Sequence, residues 1–192
     1  DRFSVGGTVK FIQQKLWNER ATGFALDVGV LFITEFKGLK LGASISNFGT
    51  EMRLDGKDLF VIYDPDPGAS GNNPAISAKL KTDDWPLPLL FRVGASIDVF
   101  KTESNYLTLA VDALHPNDNT ESLNIGFEYS FRNLIFLRAG YKSLFQKDSQ
   151  ERFTAGVGIN YKVGGIGFSF DYAYQDFGIL KNIQSFAIAL QF

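Results

Sequence analysis

Large apolar residues recur at every second position in block after block of about ten residues, and helical spacing is almost absent. In the last block Phe186, Ile188, Leu190 and Phe192 share one face, and Ser185, Ala187, Ala189 and Gln191 the other. The block before it sets Ile166, Phe168, Phe170, Tyr172 and Tyr174 against Gly167, Ser169, Asp171, Ala173 and Gln175. The same division runs through the blocks at 152–162, 121–131 and 87–100, where Tyr161 opposes Lys162, Phe127 opposes Glu128 and Val93 opposes Arg92. This period predicts strands with one greasy face and one small or polar face. Ten are predicted, at 3–13, 21–34, 38–48, 87–100, 104–113, 121–131, 133–142, 152–162, 165–175 and 183–192, so the expected fold class is all-β.

The predicted connections sort by length. "EFKG", "KTES", the turn around "SFRN" and "YKVGG" are short; "QQKLWNERAT", the stretch 49–86, "HPNDNTE", "SLFQKDSQE" and "YQDFGILKN" are long, and the two kinds alternate strictly. A soluble antiparallel sandwich also alternates its faces, but Greek-key crossings give no reason to sort loops in this way. An antiparallel up-and-down transmembrane barrel does, with short periplasmic turns and long outer loops. Aromatic residues at the predicted strand ends, Phe24, Phe32, Phe91, Phe100, Tyr161 and Tyr174 among them, suit the two interfacial girdles of such a barrel. The expectation is a single barrel domain over 1–192 in the outer membrane of a Gram-negative bacterium, with 49–86 a long extracellular loop. The closing strand ending on Phe192 resembles the C-terminal signal of outer-membrane barrels. At the other end "RFSVGGTVKF" alternates from its first residues, so an upstream segment is expected to be missing.

Composition narrows the chemistry. The 192 residues carry 19 Lys+Arg against 21 Asp+Glu, which offers no basic face for nucleic acid. The chain has no Cys, and therefore neither disulfides nor thiolate sites. Asp27, Arg92, Asp98, Asp112, Glu128, Arg138 and Asp171 fall on the small face, as do Lys10, Lys40, Lys142 and Lys162. Facing lipid, each Arg or Lys would cost roughly 2–4 kcal/mol at the midplane, so the expected place for these charges is the lumen, paired into a lattice. The competing reading, an acid–base pair of Asp112 and Glu128, needs a defined separation. His115 is the single histidine and lies in the turn-like "LHPND", against a histidine-rich metal site or a catalytic triad. "AGVGINY" holds Gly-x-Gly inside an alternating strand with no helix after it, so it is no dinucleotide fingerprint. No enzyme activity, cofactor or metal is expected. The stretch "DLFVIYDPDPGASGNNPAISAKLKTDDWPLP" contains five of the six prolines and reads as a large ordered loop. Its Phe60, Ile62, Tyr63 and Trp85 supply either a contact surface or packing on the rim.

Taken in order, "FKGLKLGASISNFGTEM", "YDPDPGASGNNP", "LKTDDWPLPLLFRVG", "VDALHPNDNTESLNIGFEYSF", "LRAGYKSLFQKDSQERFTAGVGI" and "FDYAYQDFG" resemble the PorV/PorQ family of outer-membrane proteins over nearly the whole chain. The resemblance implies a FadL-like barrel of about fourteen strands, of which these would be the last ten or so. It also implies a non-enzymatic role in type IX secretion: binding the folded C-terminal signal domain of cargo at the cell surface, with the secretion translocon and outer-membrane lipid as further partners. On that reading Phe60, Tyr63, Asp64, Asp66, Trp85 and Phe145, all on outer loops, are the expected cargo contacts. The same fold carries a rival function, import of hydrophobic small molecules through an apolar interior pocket. The interior face expected here is mostly small or charged, which argues against a greasy conduit; Phe136, sharing the face of Leu134 and Arg138, is the exception.

Overall fold

A computed structural model describes residues 2–66, 68, 75–146, 149 and 152–192. Its strands are β1 (Phe3–Leu16), β2 (Glu19–Ile33), β3 (Lys40–Gly49), β4 (Asp55–Gly56), β5 (Phe60–Tyr63), β6 (Ile76–Lys79), β7 (Leu90–Lys101), β8 (Asn105–Pro116), β9 (Ser122–Phe131), β10 (Ile135–Leu144), β11 (Phe153–Val163), β12 (Ile166–Asp176) and β13 (Asn182–Gln191). Ten of them form an antiparallel up-and-down ladder, β1-β2-β3-β7-β8-β9-β10-β11-β12-β13; β4 pairs with β2, and β5 and β6 form a separate hairpin. The all-β, up-and-down expectation therefore holds. Among the described residues β1 and β13 are not paired with each other, so the sheet is open. No described helix is long and apolar enough to cross a membrane, a fact that says nothing of strands.

Two compact units divide the chain: residues 2–6, 28–45 and 90–192 form the first, and 7–27 with 46–89 the second. In the first unit three of the four short connections are tight turns whose hand matches strand twist. Gly164 (φ 58°) and Gly165 (φ 87°) link the paired Val163 and Ile166. Arg132 (φ 52°) and Asn133 (φ 53°) sit inside a turn closed by the Leu134 N–H donating to the Phe131 carbonyl at 2.9 Å. Lys37 (φ 45°) and Gly38 (φ 63°) repeat this between β2 and β3, closed by Leu39 N–H to Phe36 O at 2.8 Å.

One predicted long connection is corrected. "QQKLWNERAT" is not a loop: β1 runs to Leu16 and β2 starts at Glu19, leaving only Trp17, with φ 55°, and Asn18 as the turn. Gln13, Gln14, Lys15 and Arg20 resemble loop residues in composition, but a ladder is held by backbone groups, which are indifferent to side-chain polarity at a strand end. The alternation of long and short connections thus holds from β3 onwards, where 50–89, 117–121, 145–152 and 177–181 are each longer than 102–104, 132–134 and 164–165; it fails at the first hairpin, and the connection 34–39 is as long as some of the long ones.

Register sorts the side chains of the first unit into two faces. Tyr129, Leu137, Val157, Tyr172 and Phe186 are successive partners across β9 to β13, and one row along Phe131, Ile135, Ile159, Phe170 and Ile188 do the same. This apolar face is open: Phe127, Leu137 and Ile159 keep 47%, 48% and 49% of their surface exposed. Each such side chain left in water forgoes roughly 1 kcal/mol of burial. Two bulges adjust the pattern. Asp98 pairs with Thr108 and Phe100 with Leu107, so Val99 is the extra residue and Phe100 takes the next apolar place. In β10 the register shifts between Tyr141 and Leu144, where Ser143 (φ 53°) donates its N–H to Asn124 Oδ1 at 2.8 Å.

The buried hydrophobic residues, among those described, are Ala21, Ala25, Met52 and Leu87, all in the second unit. Ala21, Gly23 and Ala25 form a stripe of small residues on one face of β2, and Met52 lies over it with no exposed surface. A Cβ on Gly23 would stand 3.0 Å from Met52 Cγ. Met52 and Trp85 exchange backbone hydrogen bonds at 2.8 and 2.9 Å, and Ile12, Leu54 and Trp85 pack around the cluster. The two ends of the stretch 49–86 thus form a layer on β2, and its middle carries the β5–β6 hairpin.

Candidate functional site

The polar face of the first unit centres on Arg138. β10 presents Arg138 directly across from Glu128 of β9, and its Nε donates to Glu128 Oε2 at 2.5 Å. Its Nη1 donates to Asp171 Oδ1, also at 2.5 Å, although Asp171 lies on β12, beyond β11. The guanidinium crosses β11 because that strand offers Gly156 and Gly158 there. A Cβ on Gly158 would fall 2.4 Å from Asp171 Oδ1 and 3.1 Å from Arg138 Nη1. The Phe136 ring lies 5.3 Å from the guanidinium carbon, a cation–aromatic contact on the same face. Beside this network Thr108 Oγ1 donates to Asp98 Oδ1 at 3.0 Å. The hollow over these strands has about 460 Å³ of space and is lined by Asp112, Asn124, Glu128, Arg138, Thr154 and Asp171 among others.

Two of the small-face residues stand apart from the network. Asp112 faces Gly94, where a Cβ would approach its Oδ1 to 2.1 Å. Arg92 makes no ion pair among the described residues. Asp112 and Glu128 do not form an acid–base pair: Glu128 is opposite Thr108, so the backbones at Asp112 and Glu128 are about 14 Å apart by strand rise and strand spacing. Asp27 belongs to the second unit. It accepts the Asn47 N–H at 2.8 Å and pairs with Lys10 Nζ at 2.5 Å, while Lys10 also donates to Asn47 Oδ1 at 2.9 Å. Asn47 has φ 61°, and its own amide reaches the Pro88 carbonyl at 2.9 Å.

The expected outer-loop contacts divide. Phe60 and Tyr63 lie on β5, opposite Lys79 and Ile76 of β6, and are 56% and 55% exposed. Lys79 Nζ sits 5.4 Å from the Phe60 ring centre and also pairs with Asp55. That hydrogen bond holds the Asp55 carboxyl below the usual carboxylate range. Just past β5 the Asp64 carboxylate accepts the Asp66 N–H at 3.0 Å, a local turn that fixes both acids beside the hairpin. Trp85 is instead part-buried against Met52. Phe145 belongs to the first unit, where it is 90% exposed with φ 70° just after β10. It borders a second hollow with Phe91 and the His115–Glu121 pair, joined at 2.9 Å.

Sequence reasoning missed Met52, whereas Ile62, read with Phe60 and Tyr63 as either contact surface or rim packing, is 86% exposed on β5. Met52 had a signal, the small-residue stripe Ala21-x-Gly23-x-Ala25 that a large side chain was needed to cover. A scan against protein-family models and a search of curated proteins each find no match.

Proposed function

We propose that these strands belong to an outer-membrane β-barrel of the PorV/PorQ type, FadL-like in architecture. Its apolar face meets lipid and its polar face lines the interior. The observation that carries this reading is the half-exposed apolar face of the first unit, spread over strands of 10 to 12 residues. A tilted strand of about 9–11 residues crosses a hydrocarbon core. The opposite face carries Glu128, Arg138 and Asp171, and their reversal into lipid would be strongly unfavourable. An open edge leaves backbone donors and acceptors unpaired, which a bilayer does not tolerate. Closure of β1 and β13 by further strands is therefore part of the proposal.

Within that barrel the proposed role is non-enzymatic: binding the C-terminal signal domain of cargo in type IX secretion. Its support is the ordered series of sequence phrases, together with the β5–β6 hairpin, where exposed Phe60, Ile62 and Tyr63 stand next to Asp64 and Asp66. The transporter reading would use the same hollow, whose lining mixes Ile125, Phe127 and Tyr172 with Glu128, Arg138 and Asp171; a hydrophobic ligand there would have to desolvate the three charged groups. Extraction of the full-length protein from native membranes in mild detergent tests the role. A particle of several times the barrel's mass, containing a large channel or exported proteins, is the expected result. A lone barrel carrying bound lipid-like molecules would transfer the assignment to transport.

A further inference from the structure

At the short-turn end of the first unit, every connection brings a cation. Lys37 lies in the turn after β2, Lys101 ends β7, Arg132 opens the turn after β9, and Lys162 precedes the Gly164–Gly165 turn by two residues; all four are exposed. Backbone bonds fix these turns to their neighbours: Asp98 N–H of β7 to Lys37 O at 3.2 Å, Arg132 N–H to Ser104 O, from turn to turn, at 2.6 Å, and Asn160 N–H of β11 to Leu134 O at 2.8 Å. Three of the cations rest on aromatic rings, Lys37 at 5.9 Å from Phe36, Lys101 at 5.2 Å from Tyr106 and Arg132 at 5.2 Å from Phe131. None of the four forms an ion pair among the described residues. The carboxylates at this end balance them only in part: Glu35 is taken by Arg2, which leaves Asp98 and Glu103 against the four cations. The opposite end of the same unit mixes signs, with Asp118, Glu121 and Asp176 against Arg152 and Lys181.

Cations on aromatic rings, at the ends of strands with an open apolar face, match the headgroup depth of a bilayer. A cationic surface there attracts anionic lipid over a few ångströms. We infer that the short-turn rim formed by Lys37, Lys101 and Arg132 binds the phosphodiester headgroups of anionic phospholipids in the leaflet it meets. The inference rests on the membrane reading above.

The test uses the full-length protein in mild detergent, washed and then equilibrated with equal amounts of phosphatidylglycerol and phosphatidylcholine. Retained lipid is counted by mass spectrometry. The wild type is expected to retain phosphatidylglycerol in excess. In a variant combining Lys37→Gln, Lys101→Gln and Arg132→Gln, the ratio of the two lipids should fall by roughly fivefold or more. A control combining Lys57→Gln and Lys81→Gln, in the connection before β7, should keep the wild-type ratio and shows that loss of charge alone is not the cause. An equal ratio in the wild type, or one unchanged in the triple variant, overturns the inference. So does loss of an acidic protein partner from the triple variant with the lipid ratio intact. A protein that stays in solution without detergent contradicts the membrane reading instead. The rim is then judged by flotation with phosphatidylglycerol vesicles, where wild-type binding lost in the triple variant supports it and absence of binding overturns it.

Discussion

At the scale of single residues, the Arg138 bridge depends on a missing side chain. Replacing Gly158 by Val puts a branched group where Arg138 Nη1 and Asp171 Oδ1 now meet, and the bridge must open. The expected cost is about 1–3 kcal/mol, typical of overpacking, read as a lower unfolding midpoint in urea; an unchanged midpoint would contradict the crossing over β11. Arg138→Met leaves Glu128 and Asp171 without their partner. Since all three side chains are about 40% exposed, the penalty stays near 1–2 kcal/mol rather than the larger cost of a fully buried pair. Glu128→Gln in the Arg138→Met background should then recover part of the loss, which the same midpoint measures. That Arg138 faces the polar side was legible from alternation alone. Its reach to Asp171 was not, because it requires the register of three strands and the glycines of the one between them.

Single elements show where composition misleads. Trp17 and Asn18 make a two-residue turn inside a polar stretch that resembles a loop, because polar side chains at strand ends leave the backbone ladder intact. The 50–89 connection was legible as ordered but not as a layer over β2, since the contact is made by Met52, Leu54, Trp85 and Leu87, whose spacing follows no period to read. Met52→Ala removes the one large side chain that is fully buried among the described residues, with an expected loss of about 2–5 kcal/mol from that layer. Limited proteolysis should then cut within 50–89 while β7 to β13 stay intact, and equal resistance to wild type would count against the packing. The β5–β6 hairpin is tied down by Lys79 and Asp55. The carboxyl of Asp55 is depressed in the folded state, so this contribution is present above its ordinary value of 3.8 and is lost as pH falls through the lower folded value. Acid below about pH 4 should loosen the hairpin. The Asp55→Asn variant should be looser already at pH 7 and insensitive to that acid step, as read by proteolysis of 50–89 at each pH.

For the whole molecule, the period-two pattern was the readable part, and the reason is physical. A sheet with one face in a nonpolar solvent and the other lined by polar groups must write that difference at every second residue, bulges such as Val99 excepted. Closure leaves no such mark, because pairing of the last strands is made by backbone groups common to all residues.

The central claim, that the apolar face meets lipid, is tested most directly by spin labels on single cysteines placed in turn at 107–113 of β8. Residues 1–192 carry no cysteine, and any cysteine elsewhere in the full-length protein is first replaced by serine. With the full-length protein in bilayers, collision rates with oxygen and with a water-soluble nickel chelate are measured at each site. The account predicts high oxygen and low nickel access at Leu107, Leu109, Val111 and Ala113, and the reverse or low access to both at Thr108, Ala110 and Asp112. Access without a two-residue period, or nickel reaching Leu109 and Val111 as readily as Asp112, would contradict it.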